Sequence, residues 1–393
     1  LLQSLRVLDF SKLLPGPYGT MILSDLGAEV LHVESPDLPD FIREIPPIEG
    51  GDSAVHQHLN RSKQSISLNL KKQEAIEIVK ALVQDFDIIL EQLRPGVMER
   101  LGLDYDTLKA VNPKLIYCSL TGYGQTGPYR ERPGHDNNYL SIAGIAGYSA
   151  RKNQSPVPMG VQIADIAGGS LHSVIAILSA VIHREQTGEG QYVDLSMTDA
   201  SFALNAMFGP GYLSSGVEPQ PEETELNGGT FYDYYETKDG RYLSVGSIEL
   251  PFQQKLCEVL EIPYKLAEQK EIHLFKLMIK EKILEKTYAE WLECFQDGTA
   301  CVEPVLTFSE AAQHPQIQAR NMVVNVPKGD GTTQKQIASP IKSTAYEQAY
   351  NYVGGERGAD TIEVLKDIGL NTEEINRLID KNVFGGVVNK KVD

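Results

Sequence analysis

Short β-branched runs alternate with amphipathic stretches through the first half of the chain, and this alternation constrains the fold more than any other feature. Segments 5–10, 29–34, 65–69, 87–91, 115–119 and 191–197 read as strands. Between them, segments 19–26 and 74–84 carry apolar residues at helical spacing. In the second of these, Ala75, Ile76, Ile78, Val79, Ala81, Leu82 and Val83 form one broad face. A strand followed by a helix before the next strand has the length of connection that parallel pairing needs. The pattern therefore predicts an α/β fold built on a large Rossmann-like domain with a mainly parallel sheet.

At 393 residues the chain is too long for one small domain. Segment 168–184 is the longest buried-looking helix, with Leu171, Val174, Ile175, Ile177 and Leu178 apolar; Gln186-Thr187-Gly188-Glu189-Gly190 stops it and turns the chain toward the next strand. From 208 to 229 the texture changes to Gly, Pro, Ser and Glu, which reads as a linker. Lys238-Asp239-Gly240 then separates two strand-like runs, a hairpin signal. The expected organisation is 1–207 for the first part of the large domain, 208–229 for the linker and 230–325 for a smaller α+β domain. Residues 326–393 return to the large domain, which is thus discontinuous. Asn371 with Glu374 predicts a capping box near the C-terminus.

Charge and cysteine use narrow the function classes. With 36 basic and 53 acidic residues the net charge is −17, which argues against non-specific nucleic-acid binding. An anionic ligand would need local cations and helix N-termini to hold it. Cys118, Cys257, Cys294 and Cys301 form no C-x-x-C pair and read as reduced, mostly packed thiols. His56-x-His58 lacks an acidic or sulfur neighbour in sequence, so no metal site is expected. No uninterrupted apolar run reaches the roughly 20 residues of a membrane span. The N-terminal residues show no signal-peptide pattern and the C-terminal residues no peroxisomal address, so the cytoplasm is the expected location and no membrane partner is expected.

Gly122-Tyr123-Gly124-Gln125-Thr126-Gly127 matches the dinucleotide fingerprint, yet Pro128 and Pro133 follow and no helix begins where a pyrophosphate would need one. Asp165 is the strongest catalytic candidate. It stands where a long apolar helix begins, and its position alone would also suit an ordinary helix cap. Ile163, Ala164, Ile166 and Ala167 surround it with apolar side chains, which predicts burial and a raised pKa. The small Ala167, Gly168 and Gly169 leave room for a ligand, and amides at the helix start are candidate donors to a developing oxyanion. By residue type alone, His135 is a polar-loop histidine and Glu249 an exposed acid after a strand.

Blocks from end to end give these residues a context. Val7-Leu8-Asp9-Phe10 with Leu14-Pro15-Gly16-Pro17, Leu26-Gly27-Ala28-Glu29-Val30, Asn60-Arg61-Ser62-Lys63, Arg94-Pro95-Gly96-Val97, Thr187-Gly188-Glu189-Gly190-Gln191, the Asp165 segment and His314-Pro315-Gln316 resemble the family-III CoA-transferases. That group includes carnitine-CoA transferase, formyl-CoA transferase and α-methylacyl-CoA racemase. Pro133-Gly134-His135-Asp136 with Asn138-Tyr139, and Gly228-Gly229-Thr230-Phe231-Tyr232 leading to Ile248-Glu249, resemble the racemase branch. The glycine-rich loop of the transferase branch has no full counterpart. The chain departs from its relatives at His32 and Ser35-Pro36-Asp37, on the adenine side of the expected pocket.

The resemblance implies an acyl-CoA racemase or epimerase acting at the α-carbon of a 2-methyl-branched acyl group. His135 and Asp165 are then the two proton-transfer residues, and Glu249 orients the imidazole. Arg61, Lys63 and Arg94 are the implied cations for the CoA phosphates, with Gly134 and Ala164 also contacting the cofactor portion. Coenzyme A enters as part of the substrate, no tightly bound cofactor is expected, and the implied assembly is an interlocked homodimer. The alternative is CoA transfer between carboxylic acids, with Asp165 as nucleophile forming an anhydride and then a thioester.

Overall fold

The computed structural model describes residues 1–264 and 272–386. The chain divides into two compact units, one comprising 1–143, 159–204 and 319–393, the other 144–158 and 205–318.

The first unit is built on six parallel strands: β1 (Arg6–Phe10), β2 (Glu29–Glu34), β3 (Gln64–Ser67), β4 (Ile88–Glu91), β5 (Ile116–Thr121) and β6 (Gln191–Ser196). Their spatial order is β3-β2-β1-β4-β5-β6, a doubly wound sheet whose order reverses between β1 and β4. All six lie where the β-branched runs placed them. The side-chain period of two explains how such short strands hold a two-faced sheet. Leu8, Leu31, Ile66 and Ile89 point to one face, where α2 (Gln73–Val83) and Val364, Leu365 and Ile375 cover them. Val7, Val30, Ile88 and Ile116 point to the other, under α1 (Pro15–Asp25) and Val174, Ile177 and Ala180 of α4 (His172–Thr187). Helix α1 begins a turn earlier than its apolar pattern suggests, because Pro15 and Pro17 are compatible with a first turn whose amides need no partner.

Ahead of α4, Ala164–Leu171 winds as a π-helix, and the two together make one continuous helix of 24 residues, Ala164–Thr187. This helix is long and apolar enough to cross a membrane by length and composition, contrary to the sequence reading. The small Gly, Ala and Ser residues interrupt its apolar run without making it polar. Two side chains meet carbonyls along the wider winding: Ser170 Oγ donates to the Asp165 carbonyl at 3.1 Å, and His172 Nδ1 lies 2.6 Å from the Ala167 carbonyl. Gly168 is needed there, since a Cβ would come within 3.1 Å of the Met197 carbonyl.

The second unit has its own core of Phe231, Leu243, Leu256, Phe275 and Trp291 beneath three antiparallel strands, β7 (Asp233–Glu236), β8 (Tyr242–Val245) and β9 (Val302–Pro304), ordered β9-β8-β7. Residues 208–229 are not a free linker. They contain the helix Gly209–Ser215, and Arg151 ties the segment down by binding Glu222 at 2.8 Å and Asp233 at 2.7 Å. These long-range ion pairs also attach residues 144–158 to this unit rather than to the large one. In the first unit, Asn371 and Glu374 form the capping box expected at Thr372–Asp380.

Candidate active site

The loop after β5 leads into α3 (Asp136–Ile142), whose first residues face the start of the π-helix. His135 is the N-cap of α3. Its backbone amide donates to Asn138 Oδ1 at 3.0 Å and its carbonyl accepts from the Asn138 amide at 2.9 Å, which fixes where the imidazole leaves the chain. The residue is exposed.

Asp165 is not the cap of its helix, which corrects the sequence reading. Ile163 occupies that position and contributes no side-chain bond. The cap comes from α3: Asp136 Oδ1 accepts from the amides of Ala164 at 2.6 Å and Asp165 at 3.1 Å. Asp165 is thereby free for chemistry. Burial raises its pKa to about 6, the nearby Asp136 charge pushes the same way, and His135 pulls it back down. Asp136 was legible only as a neighbour of His135, and nothing in the sequence marked it as a cap for a distant helix. Asp136→Ala should leave two amides without their acceptor and cost about 1–2 kcal/mol in denaturant unfolding. It should also lower the Asp165 pKa, seen as a downward shift of the acid limb of the pH–rate profile.

Two further expectations are corrected by the same bonds. The amides of Ala164, Asp165 and Ile166 cannot receive an oxyanion, because the first two are bound to Asp136 and the third to the Gln162 carbonyl at 2.9 Å. Ala164 is fully buried, with its amide already used, so it does not offer a contact to a CoA group.

The phosphate-binding assignment of Arg61 and Lys63 also fails on burial. Arg61 binds Asp25 through Nε at 2.9 Å and Nη2 at 2.5 Å, and donates from Nη1 to the Ile337 carbonyl at 2.6 Å. Lys63 Nζ donates to Thr20 Oγ1 at 2.7 Å, the Pro17 carbonyl at 3.0 Å and Asn60 Oδ1 at 3.0 Å, and pairs with the Asp9 carboxylate at 3.3 Å. Both side chains are buried and their donors are directed inward. They hold the polar interior together instead of meeting solvent anions.

Arg94 does face open space. It lines a cleft of about 520 Å³ together with Arg130, Arg132, Gly134, His135, Tyr139 and residues of the loop after β4. Gly134 is required by close packing, since a Cβ there would lie 2.6 Å from the Tyr139 ring. The Tyr139 hydroxyl donates to the Gly134 carbonyl at 2.5 Å, and burial, with the Asp165 charge, raises the Tyr139 pKa. His135, Asp165, Gly134 and Tyr139 are thus neighbours. Arg130, Arg132 and Tyr123 belong to the same cleft and were not singled out from the sequence.

A second, apolar-walled cleft of about 290 Å³ opens beyond the carboxyl ends of β1, β2 and β3, where ligands of doubly wound sheets collect. Leu38, Leu68, Leu70, Leu93 and Val97 form its walls, with Lys12 and Lys71 among its lining residues. His32, one of the departures from the family pattern, is buried 3.4 Å from Asp9, while Ser35 lines this cleft. Glu249 lies in the second unit as the exposed N-cap of the helix Leu250–Leu260, with no side-chain hydrogen bond among the described residues.

The model of CoA-transferase family III matches residues 2–361. The chain belongs to CoA-transferase family III. It is 33% identical to the α-methylacyl-CoA racemase of Mus musculus over 396 residues, covering 96% of both proteins. It is 31% identical to the human succinyl-CoA:glutarate CoA-transferase over 335 residues, covering 83% of this chain and 76% of that one. Among solved structures it is similar to a CAIB/BAIF family protein from Brucella suis, with a TM-score of 0.81 and 29% identity over 93% of this chain and 98% of that one. Family III members of both chemical kinds are thus similar to this chain, and its α/β parallel-sheet architecture is the family's.

Proposed function

We propose that this family III protein is an acyl-CoA racemase or epimerase, acting at the α-carbon of a 2-methyl-branched acyl thioester. The observation that carries the reading is the Asp165 carboxyl, whose pKa burial and the Asp136 charge raise to about 6 and the nearby His135 lowers. A thioester α-proton is weakly acidic, so its removal needs a positioned base, and inversion needs a proton donor on the opposite face. Burial brings the Asp165 carboxyl into the range where an imidazole exchanges protons, and two such groups can trade roles in either direction. One takes the α-proton to leave an enolate, and the other returns a proton to the far face.

In this reading the apolar-walled cleft receives the adenine end of coenzyme A. Lys12, Lys71 and Arg94 meet its phosphates in place of Arg61 and Lys63. A homodimer belongs to the same reading: Leu171, Ile175, Ile182 and Phe202 are apolar and exposed, as a subunit interface requires.

The direction that uses Asp165 as base needs its anion. Its rate should therefore fall as pH drops through about 6, checked by following isomerisation from each pure enantiomer between pH 4.5 and pH 8. CoA transfer through Asp165 is the rival, since relatives named for that reaction are 31% identical to this chain. A single enantiomer of a 2-methylacyl-CoA, incubated without any acceptor acid, separates the two. Chiral analysis should show both enantiomers accumulating. An unchanged enantiomer, together with CoA moving to an added carboxylate, would contradict the racemase reading.

A further inference from the structure

We propose that the side-chain amide of Gln92 donates to the thioester oxygen and holds its negative charge during α-proton transfer, which makes Gln92 a catalytic residue beside His135 and Asp165. The proposal rests on the racemase reading and deepens it.

When one of the pair takes the α-proton, the C–H electrons form the carbon–carbon double bond of the enolate and the carbonyl π-electrons move onto oxygen. Reprotonation reverses both movements, and no proton passes to the donor. The oxygen carries the charge while the proton is away, so a fixed N–H aimed at it lowers the barrier. That donor must stand beside the proton-transfer pair, because the oxygen is two bonds from the α-carbon. The amides of Ala164, Asp165 and Ile166 are already bound and do not supply it.

Gln92 follows β4 directly and lines the same cleft as His135. Its main chain is clamped, since Glu91 Oε2 reaches across it to accept from the Leu93 amide at 2.8 Å. Its side chain is fixed as well. Gln92 Oε1 accepts from the Gly16 amide at 3.1 Å, one of the amides in the first turn of α1 that no carbonyl of the helix can take. A Cβ at residue 16 would come within 2.8 Å of that oxygen, so glycine is required for the approach. Because the oxygen end is committed to an N–H, the nitrogen end is the free one, and Nε2 has no hydrogen-bond partner among the described residues. The adjacent Pro15 carbonyl accepts from Ser170 Oγ at 2.6 Å, and the same hydroxyl lies 3.1 Å from the Asp165 carbonyl. Gln92 is therefore bonded to the turn that rests on the Asp165 helix.

Other donors of the cleft are engaged or wet. The Tyr139 hydroxyl is spent on Gly134, and the Leu13 amide on Asp40. Arg94 and Arg130 are shared with an adjoining cleft of about 490 Å³, where Glu91, Glu99, Asp104 and Asp106 also attract them. Arg132 is exposed and stacked on Tyr129 at 3.8 Å. Asn138 is exposed and already holds the His135 amide, whereas Gln92 is half-buried, where a hydrogen bond to a developing charge is stronger.

The test reads the bond itself. An acyl-CoA with an isotope-labelled carbonyl and no α-hydrogen is bound to the full chain, and its carbonyl stretch is followed by infrared difference spectroscopy. The stretch should lie at lower frequency in the wild type than in Gln92→Met or Gln92→Glu. Gln92→Glu keeps an acceptor for the Gly16 amide, so a purely structural role would leave it like the wild type. Tyr123→Phe, which removes the remaining hydroxyl of the cleft, should keep the wild-type frequency. Exchange of the α-hydrogen of a 2-methylacyl-CoA with solvent deuterium should fall about 10²- to 10³-fold in kcat in both Gln92 variants, with KM within about three-fold. A frequency unchanged in both Gln92 variants, or altered only in Tyr123→Phe, would overturn the role of Gln92 and leave the racemase reading standing. If the wild type binds no acyl-CoA, or binds it without exchanging its α-hydrogen, that reading falls and this proposal with it.

Discussion

Asp165→Asn is expected to lower acyl-CoA isomerisation by about 10²- to 10⁴-fold, the usual contribution of a positioned acid–base group. The same substitution is expected to stabilise the fold at neutral pH. Burial holds the Asp165 pKa at about 6, above its ordinary value of 3.8, so folding favours the protonated carboxyl. That preference is fully present below pH 4 and is lost as pH rises through about 6. Above that pH the native site carries an ionised carboxylate in a part-buried position, a cost that asparagine lacks. Thermal unfolding at pH 8 should show a gain of about 1 kcal/mol after solvent screening, shrinking toward zero below pH 4. A stabilised but inactive variant is the signature of a carboxylate kept for its chemistry. A loss of stability at pH 8 would instead mark Asp165 as a structural residue.

Arg61→Ala should produce the largest change in stability. It leaves Asp25 buried with its principal cation removed, an arrangement that costs about 3–5 kcal/mol. The expected result is a large fall in the denaturant midpoint. Replacing Asp25 with Leu in the Arg61→Met background should recover much of the loss, because an apolar pair of similar volume needs no compensating charge. If Arg61→Ala were to fold with normal stability and merely raise the KM for acyl-CoA, the phosphate-binding role implied by the family pattern would be restored.

Arg61 also shows where reading from the sequence stops. The positions Asn60-Arg61-Ser62-Lys63 were legible as a family block, but the partner of Arg61 stands 36 residues earlier on α1 and the Lys63 ammonium is enclosed by Asp9, Thr20 and Asn60. Whether a cation meets a phosphate or a carboxylate depends on that distant geometry. The six strands were legible for the opposite reason. The central strands β1, β4 and β5, buried on both faces, require apolar residues at most positions, and this requirement is local. Asp165 was legible as a residue whose apolar neighbours would bury it, while its freedom from capping duty was not, since Asp136 supplies the cap from 28 residues away. The attachment of residues 144–158 to the second unit was hidden in the same way, in ion pairs between Arg151 and acids more than 70 residues further on.

The pairing of His135 with Asp165 as two proton-transfer groups is the centre of the account, and solvent deuterium reports on it most directly. A 2-methylacyl-CoA is incubated in D2O without an acceptor acid, and the α-position is followed by mass spectrometry for the wild type, His135→Ala and Asp165→Asn. The account predicts deuterium entering the α-position with the wild type and almost none with either variant. An undeuterated α-carbon across a panel of 2-methylacyl chains, or exchange undiminished in both variants, would contradict it.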